Sequence, residues 1–324
     1  MMRCLVTGGC GFVGSALVRR LLKESCEVVV VDDLSRGAPE NLGPLKDQVP
    51  VVQEDVTNGL GQIFASFQPQ AVFHLAALHF IPDCDAAPAR CLRVNVDGTR
   101  AVLEATAALR HRASLVLASS AAVYAPADGP LHEQEDSLGP IDVYGYSKRW
   151  AEDLATDFAA RTGKAVGIAR LFNVFGPGET NAHFIPSLIC QLQAGGSVRL
   201  GNLRTRRDYV FVDDVADALL RLTRHASGGH GGGQPVTVNI GSGRAYAGHE
   251  VVEALAGLTP AGVGAETEVK PAIDPGRVRL VDRPVLLADP ALAQKLLGWA
   301  PRTSLIEGLR AAWDRPVGAG VSLS

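Results

Sequence analysis

No stretch of this chain holds the run of about 20 apolar residues that a membrane-crossing helix needs, which excludes a helical membrane protein. The first strand pattern begins at Arg3, leaving no room for a signal peptide, so a cytoplasmic protein is expected. Long runs of one charge sign are missing too, and the net charge is only -3, which argues against a nucleic acid or a membrane surface as the main partner. Metal or disulfide spacing is absent among Cys4, Cys10, Cys26, Cys84, Cys91 and Cys190; reduced, structural thiols and no metal are expected. Internal repeats of the solenoid kind are absent. What is present, 324 residues with 47% hydrophobic content, fills a large layered domain and a smaller lobe.

The apolar strand Cys4-Leu5-Val6-Thr7 runs straight into Gly8-Gly9-Cys10-Gly11-Phe12-Val13-Gly14 and then a helical pattern from Ala16 to Leu22. Glycines at 8, 11 and 14 permit a tight turn and close backbone approach, so a dinucleotide pyrophosphate can rest on amides at the helix N-terminus. The next strand, Val28 to Val31, ends in Asp32-Asp33, where an acid reaches adenosine ribose hydroxyls. Asp32 favours NAD, because a ribose phosphate would be repelled there, while Arg36 in Ser35-Arg36-Gly37 keeps NADP open.

Strands and helices continue to alternate. Val51 to Glu54 leads to Asp55-Val56 and a helix near 61–67; the strand Ala71 to Leu75 ends in Ala76-Ala77, small residues that leave ligand space. One long helical stretch is expected from about Pro88 to Leu109, followed by a buried strand from Ser114 ending in Ser119-Ser120. The pattern predicts a doubly wound α/β fold of Rossmann type, with a parallel sheet covered on both faces.

At the head of the next helix, Tyr144 and Lys148 lie one turn apart on one face. A neighbouring ammonium favours a phenolate and brings a tyrosine into range as a base. Along this helix to about Arg161, Trp150, Ala151, Leu154, Ala155 and Phe158 make an apolar arc, with Arg149, Glu152, Asp153 and Asp157 opposite. That arc can serve the sheet alone or the sheet plus a neighbouring subunit, and periodicity does not separate these.

The runs Thr7 to Gly14, His74-Leu75-Ala76-Ala77, Asn95-Val96-Asp97-Gly98-Thr99, Ser119 to Tyr124 and Tyr144 to Lys148 resemble the extended short-chain dehydrogenase/reductases, and among them the NAD-dependent UDP-sugar 4-epimerases. The likeness runs from residue 3 to about 313. It implies that Tyr144 takes a proton from the sugar 4-hydroxyl as hydride passes to NAD, and that the 4-keto sugar turns over and is reduced on its other face. Lys148 would hold the nicotinamide ribose and keep Tyr144 anionic, and Ser120 would hydrogen-bond the reacting oxygen. A plainer role for Ser120 is a strand-end hydroxyl satisfying backbone. Cofactor contacts are expected from Gly8, Gly11, Phe12, Val13 and Gly14; from Asp32, Asp33, Ser35, Arg36 and Gly37; from Asp55, Val56, Leu75, Ala76 and Ala77; and from Asn95, Ser119, Tyr144 and Lys148. A homodimer is expected with them.

Ala121 and Ala122 depart from the related 4,6-dehydratases, which carry an Asp-Glu pair at these places, and they also count against a decarboxylase. Ala125 and Leu171 are lesser departures; Leu171 bears on how tightly the nicotinamide is held. On the substrate side, Asn173 resembles a family Asn that contacts the diphosphate, Arg207 and Arg279 resemble two clamps on it, and the loop Gly178 to His183 meets the sugar. A substrate carboxylate would call for Thr180 or His183, and His79 is a further substrate contact with packing as its alternative. His225 and His230 sit in a Gly-rich connection, and the tail after Trp313 reads as unstructured.

The expected organisation is a dinucleotide-binding domain over 1–170 with returns near 207–245, a substrate lobe over 171–206 and 246–314, and a tail over 315–324. The expected activity is UDP-hexose 4-epimerisation, of glucose/galactose or glucuronate/galacturonate nucleotides. Competing readings are a 4-ketoreductase or 5,6-dehydratase on the same scaffold, and a catalytically silent NAD-binding regulator.

Overall fold

The computed structural model describes residues 1–179, 181–194, 198–230, 233–258, 272–274 and 283–314. Seven parallel strands lie in the order Val236–Ile240, Ala165–Leu171, Ser114–Ser120, Ala71–His74, Arg3–Thr7, Glu27–Asp32, Val51–Gln53. The chain moves outward from Arg3–Thr7 to Val51–Gln53, then crosses back to Ala71–His74 on the other side. That reversal opens a crevice at the strands' carboxyl ends, between Gly8 and Leu75.

Both sheet faces are apolar because strand side chains alternate. Cys4, Val6, Phe73, Val116 and Val238 pack with Leu17, Leu21, Val215 and Leu219, so helices Phe12–Lys23 and Val212–His225 cover one face. Leu5, Val72, Leu115, Val166 and Ile168 pack with Val102, Leu103, Ala151, Ala155 and Phe158, so helices Gly98–Ala107 and Val143–Thr162 cover the other. This is the doubly wound α/β fold that the alternation predicts.

Three local expectations change. The stretch 88–109 is not one helix: Pro88–Leu92 passes through a π-turn at Arg93–Asp97 into Gly98–Ala107. The wider turn places the buried Asn95 where its side chain joins three segments, a common use of π-turns at functional sites. On helix Val143–Thr162, Trp150 is exposed, while Glu152, assigned by periodicity to the polar face, is buried against Arg170. Strand Arg206–Phe211 does not join the main sheet: it pairs with Asn173–Phe175, Ala245–Ala247 and Val285–Ala288 in a smaller one, although the helix after it packs on the main sheet. The tail after Asp314 lies outside the described residues, as do Gly231 and Gly232 of the Gly-rich connection.

His74 shows how the centre of the sheet is wired. Thr99 Oγ1 donates to Asn95 O at 2.6 Å, so it accepts from His74 Nε2 at 3.0 Å; His74 Nδ1 then accepts from the Thr7 hydroxyl at 2.7 Å. Burial, helped by the Lys148 charge, lowers the His74 pKa from 6.5 to about 3. A depressed folded pKa means stability present above pH 6.5 and lost as pH falls toward 3, because only the unfolded ring takes up a proton in that window. Urea unfolding of the unsubstituted protein is expected to lose about 1.4 kcal/mol more per pH unit than His74→Leu between pH 6.5 and about 4; equal slopes would contradict the assignment.

Candidate active site

A cavity of about 1090 Å³ occupies the crevice and extends under the smaller sheet. Its floor is the glycine turn. Gly8 has φ +69°, a conformation that L side chains rarely adopt, and a Cβ there would come within 2.7 Å of Ala76 N across the crevice. Helix Phe12–Lys23 begins at Gly11 with no side-chain cap and no acid in its first turn, so its N-terminal amides are left for an anion. Gly8, Gly11, Phe12, Val13 and Gly14 all line the cavity, and these features fit a dinucleotide pyrophosphate.

Farther along the same wall lie Asp32, Asp33, Ser35, Arg36 and Gly37, then Asp55 and Val56, with Leu75, Ala76, Ala77 and Ser119 opposite. Asp32 is more occupied than the sequence suggests. Its Oδ2 accepts from Cys10 N and its Oδ1 from Leu34 N, each at 2.9 Å; burial raises its pKa and these bonds oppose the rise. Each carboxylate oxygen retains a second lone pair for a ribose hydroxyl. Arg36 pairs with Asp83. Asn95, expected at the cofactor, is not part of the cavity wall: its amide donates to Leu78 O at 2.9 Å and to Ser147 Oγ at 2.8 Å and accepts from Leu78 N at 2.8 Å. It clamps the loop after Ala71–His74 onto the helix that carries Tyr144.

That helix starts where it does because Asp142 accepts from Gly145 N at 2.7 Å, capping the first turn. Gly145 has no room for a side chain, since a Cβ would lie 2.6 Å from Ala122 O. The helix therefore presses on the turn after Ser120, and the Tyr144 phenol comes near enough to the Ser120 hydroxyl to be influenced by it. Ser120 Oγ also accepts from Ala122 N at 3.1 Å, so the backbone role and the tyrosine contact coexist. Lys148, one turn on and buried, donates to Ala118 O at 2.9 Å. Burial draws its pKa down to about 8. The Tyr144 pKa is raised, first by burial, against the Ser120 hydroxyl, with Cys84, Asp142 and Cys91 adding to the rise.

On the far side, His79, Asn173, His183 and Arg207 line the cavity with Ser120. Asn173 Nδ2 donates to Asp208 O at 3.1 Å, and Arg207 donates to Arg283 O at 2.8 Å. Thr180 and Arg279 lie outside the described residues. Further residues complete the wall. Arg283, nearly buried, donates to Ala122 O at 3.0 Å and to Ala121 O at 3.3 Å, bracing the turn beside Ser120. Glu179 and Tyr209 also reach the wall, and Asn181, behind it, touches His79. The motif around Arg207 points to Tyr209; nothing in the spacing points to Arg283.

Residues 4–241 match the NAD dependent epimerase/dehydratase family. The UDP-glucose 4-epimerase of Mycolicibacterium smegmatis is 33% identical over 315 residues, covering 95% of this chain and 96% of that protein. UDP-arabinose 4-epimerase 1 of Arabidopsis thaliana is 30% identical over 95% of this chain and 78% of its own length. The crystal structure of UDP-glucose 4-epimerase from Brucella ovis in complex with NAD superposes with a TM-score of 0.86 at 28% identity, covering 97% of this chain and 98% of that one.

Proposed function

We propose, for a chain that belongs to the NAD dependent epimerase/dehydratase family, inversion of C4 in a UDP-sugar with NAD as the cofactor. The observation that carries this reading is the meeting of Ser120, Tyr144 and Lys148 beside the glycine turn, in one cavity that continues to Asn173 and Arg207. Ala121 and Ala122 follow Ser120 with no carboxylic acid to expel water, which favours epimerisation over 4,6-dehydration.

Bound NAD would supply the hydride acceptor and donor for C4, and its positive charge would lower the cost of an anionic Tyr144. Residues of the glycine turn hold its pyrophosphate and Asp32 its ribose. Tyr144 moves the proton at the sugar 4-hydroxyl, while Ser120 donates to the reacting oxygen and holds it toward Tyr144. The Lys148 ammonium, anchored by Ala118 O, holds ribose hydroxyls. Arg207, with Asn173, receives the UDP diphosphate, the guanidinium forking onto phosphate oxygens. The domain division follows from the same chemistry, with residues up to 170 serving the cofactor and those after it chiefly the substrate.

The sugar is read directly. Purified protein with NAD is incubated with UDP-glucose, UDP-glucuronate, UDP-arabinose or UDP-N-acetylglucosamine, and products are followed by NMR. A C4 epimer from one of them is expected; no change in any, with NAD bound, would overturn the proposed activity.

The assembly belongs to the same proposal. Tyr146 and Trp150 stay 47% and 46% exposed on helix Val143–Thr162, their rings 6.2 Å apart, a surface suited to a second copy. Sedimentation velocity is expected to show a dimer that Trp150→Glu converts to monomer; a monomeric unsubstituted protein would contradict it.

A further inference from the structure

We propose that His79, Glu179 and His183 form a site for one divalent transition-metal ion of the zinc class at the substrate end of the cavity. The three side chains come from segments far apart in the chain, the loop after Ala71–His74 and the loop before helix Phe184–Ala194. Their candidate ligand atoms, one from each side chain, all lie within 4.8 Å of one another. All three residues line the cavity. Around one tetrahedral ion, with imidazole nitrogens at about 2.0–2.1 Å and a carboxylate oxygen at about 2.0–2.2 Å, donor atoms sit roughly 3.3–3.5 Å apart. Side-chain rotations of about an ångström therefore complete the set. The fold itself need not move.

The chemistry of the donors selects the ion. Two imidazoles and one carboxylate suit zinc, cobalt or nickel, whereas magnesium and calcium prefer oxygen ligands throughout. Of the nearby charged groups, Lys148 opposes a cation here and Glu179 favours one. Glu179 is only 4% exposed, so bulk water competes little with its carboxylate for a cation that enters.

Asn181 marks where the ion would sit. Its Nδ2 lies 3.2 Å from His79 Nε2 and 3.4 Å from Glu179 Oε1, so an amide donor now stands between two acceptors. A cation satisfies the same two lone pairs, and rotation of the Asn181 side chain makes room for it. The His183 ring is already close, 5.7 Å from that of His79 between centroids, and Phe80 stands edge-on to it at 5.2 Å. Three protein ligands leave at least one coordination position open to the cavity, for water or a sugar hydroxyl. Metal binding is independent of the epimerase reaction and is read without turnover.

Tag-free protein is stripped with EDTA, dialysed and titrated with cobalt chloride while visible absorption is recorded; a parallel zinc-loaded sample is weighed for metal by mass spectrometry. One ion per chain is expected, with weak d–d bands of nitrogen and oxygen ligation. His79→Gln, Glu179→Gln and His183→Gln are each expected to weaken binding by about ten-fold or more, and His249→Gln, an exposed histidine elsewhere, to leave it unchanged. Urea unfolding and NAD binding of each variant separate a lost ligand from a lost fold. No binding to the intact protein would overturn the site. So would binding unchanged in folded Glu179→Gln and His183→Gln, or intense sulfur charge-transfer bands that place the ion on a cysteine.

Discussion

Tyr144→Phe is expected to lower the epimerisation rate by about 10²–10⁴-fold, the usual contribution of a positioned acid or base, while NAD binding stays within a factor of about two. The substitution removes one hydroxyl and no packing. Ser120 Oγ is tied to Ala122 N whether or not the phenol is present, so the turn and the helix both survive its loss. The Asp142 cap and the Asn95–Ser147 clamp fix the helix start without the phenol. Activity assays on protein with its NAD content measured separate the two effects. Retained turnover would remove Tyr144 from the chemistry; lost NAD would show that the phenol is needed for the cofactor first.

Arg170→Met is expected to destabilise the protein by about 3–5 kcal/mol, a large share of the roughly 5–15 kcal/mol that holds a domain folded. Arg170 and Glu152 are 6% and 4% exposed, and their guanidinium and carboxylate meet through Nε to Oε1 at 3.0 Å and Nη2 to Oε2 at 2.8 Å. Ser119 donates to the same Oε1 at 2.5 Å, and Tyr124 receives an Nη1 donor at 3.0 Å with the guanidinium 4.8 Å over its ring. Removing the arginine leaves a buried carboxylate with Ser119 as its main donor. The desolvation already spent on Glu152 is then uncompensated. Replacing both members, Arg170→Met with Glu152→Leu, is expected to cost much less than Arg170→Met alone. Urea unfolding of the two variants checks both statements, and a single-variant loss under about 1 kcal/mol would contradict the burial of an ionised pair. Ser119 precedes Ser120, so this pair also steadies the strand end on which the proposed site stands.

Glu152 shows why parts of this molecule were hidden in the chain. Helical spacing sets it among polar neighbours, and its partner Arg170 is on a strand, so only the packed structure reveals the burial. Arg283 is a similar case: it acts on two backbone carbonyls after Ser120, and backbone carbonyls carry no residue signature. Asn95 was legible as a residue of importance, but as a cofactor contact, and the π-turn that swings it into a clamp has no spacing rule. By contrast, the glycine turn, the small residues Ala76 and Ala77 and the pair Tyr144 and Lys148 are local motifs whose chemistry is fixed by residues a few positions apart. They indicated the fold and the cavity wall that the structure then joins. The three-way meeting of His79, Glu179 and His183 depends on two distant loops and had no local trace beyond the histidines themselves.

The central claim is that C4 is oxidised and reduced within one binding event, with no net exchange of hydrogen with solvent at that carbon. The UDP-sugar found to epimerise is prepared with deuterium at C4, incubated with the protein in ordinary water, and both epimers are examined by NMR. Deuterium fully retained at C4 of the product is the predicted result. Its replacement by hydrogen would contradict the account and point to proton abstraction at carbon or to release of the keto sugar.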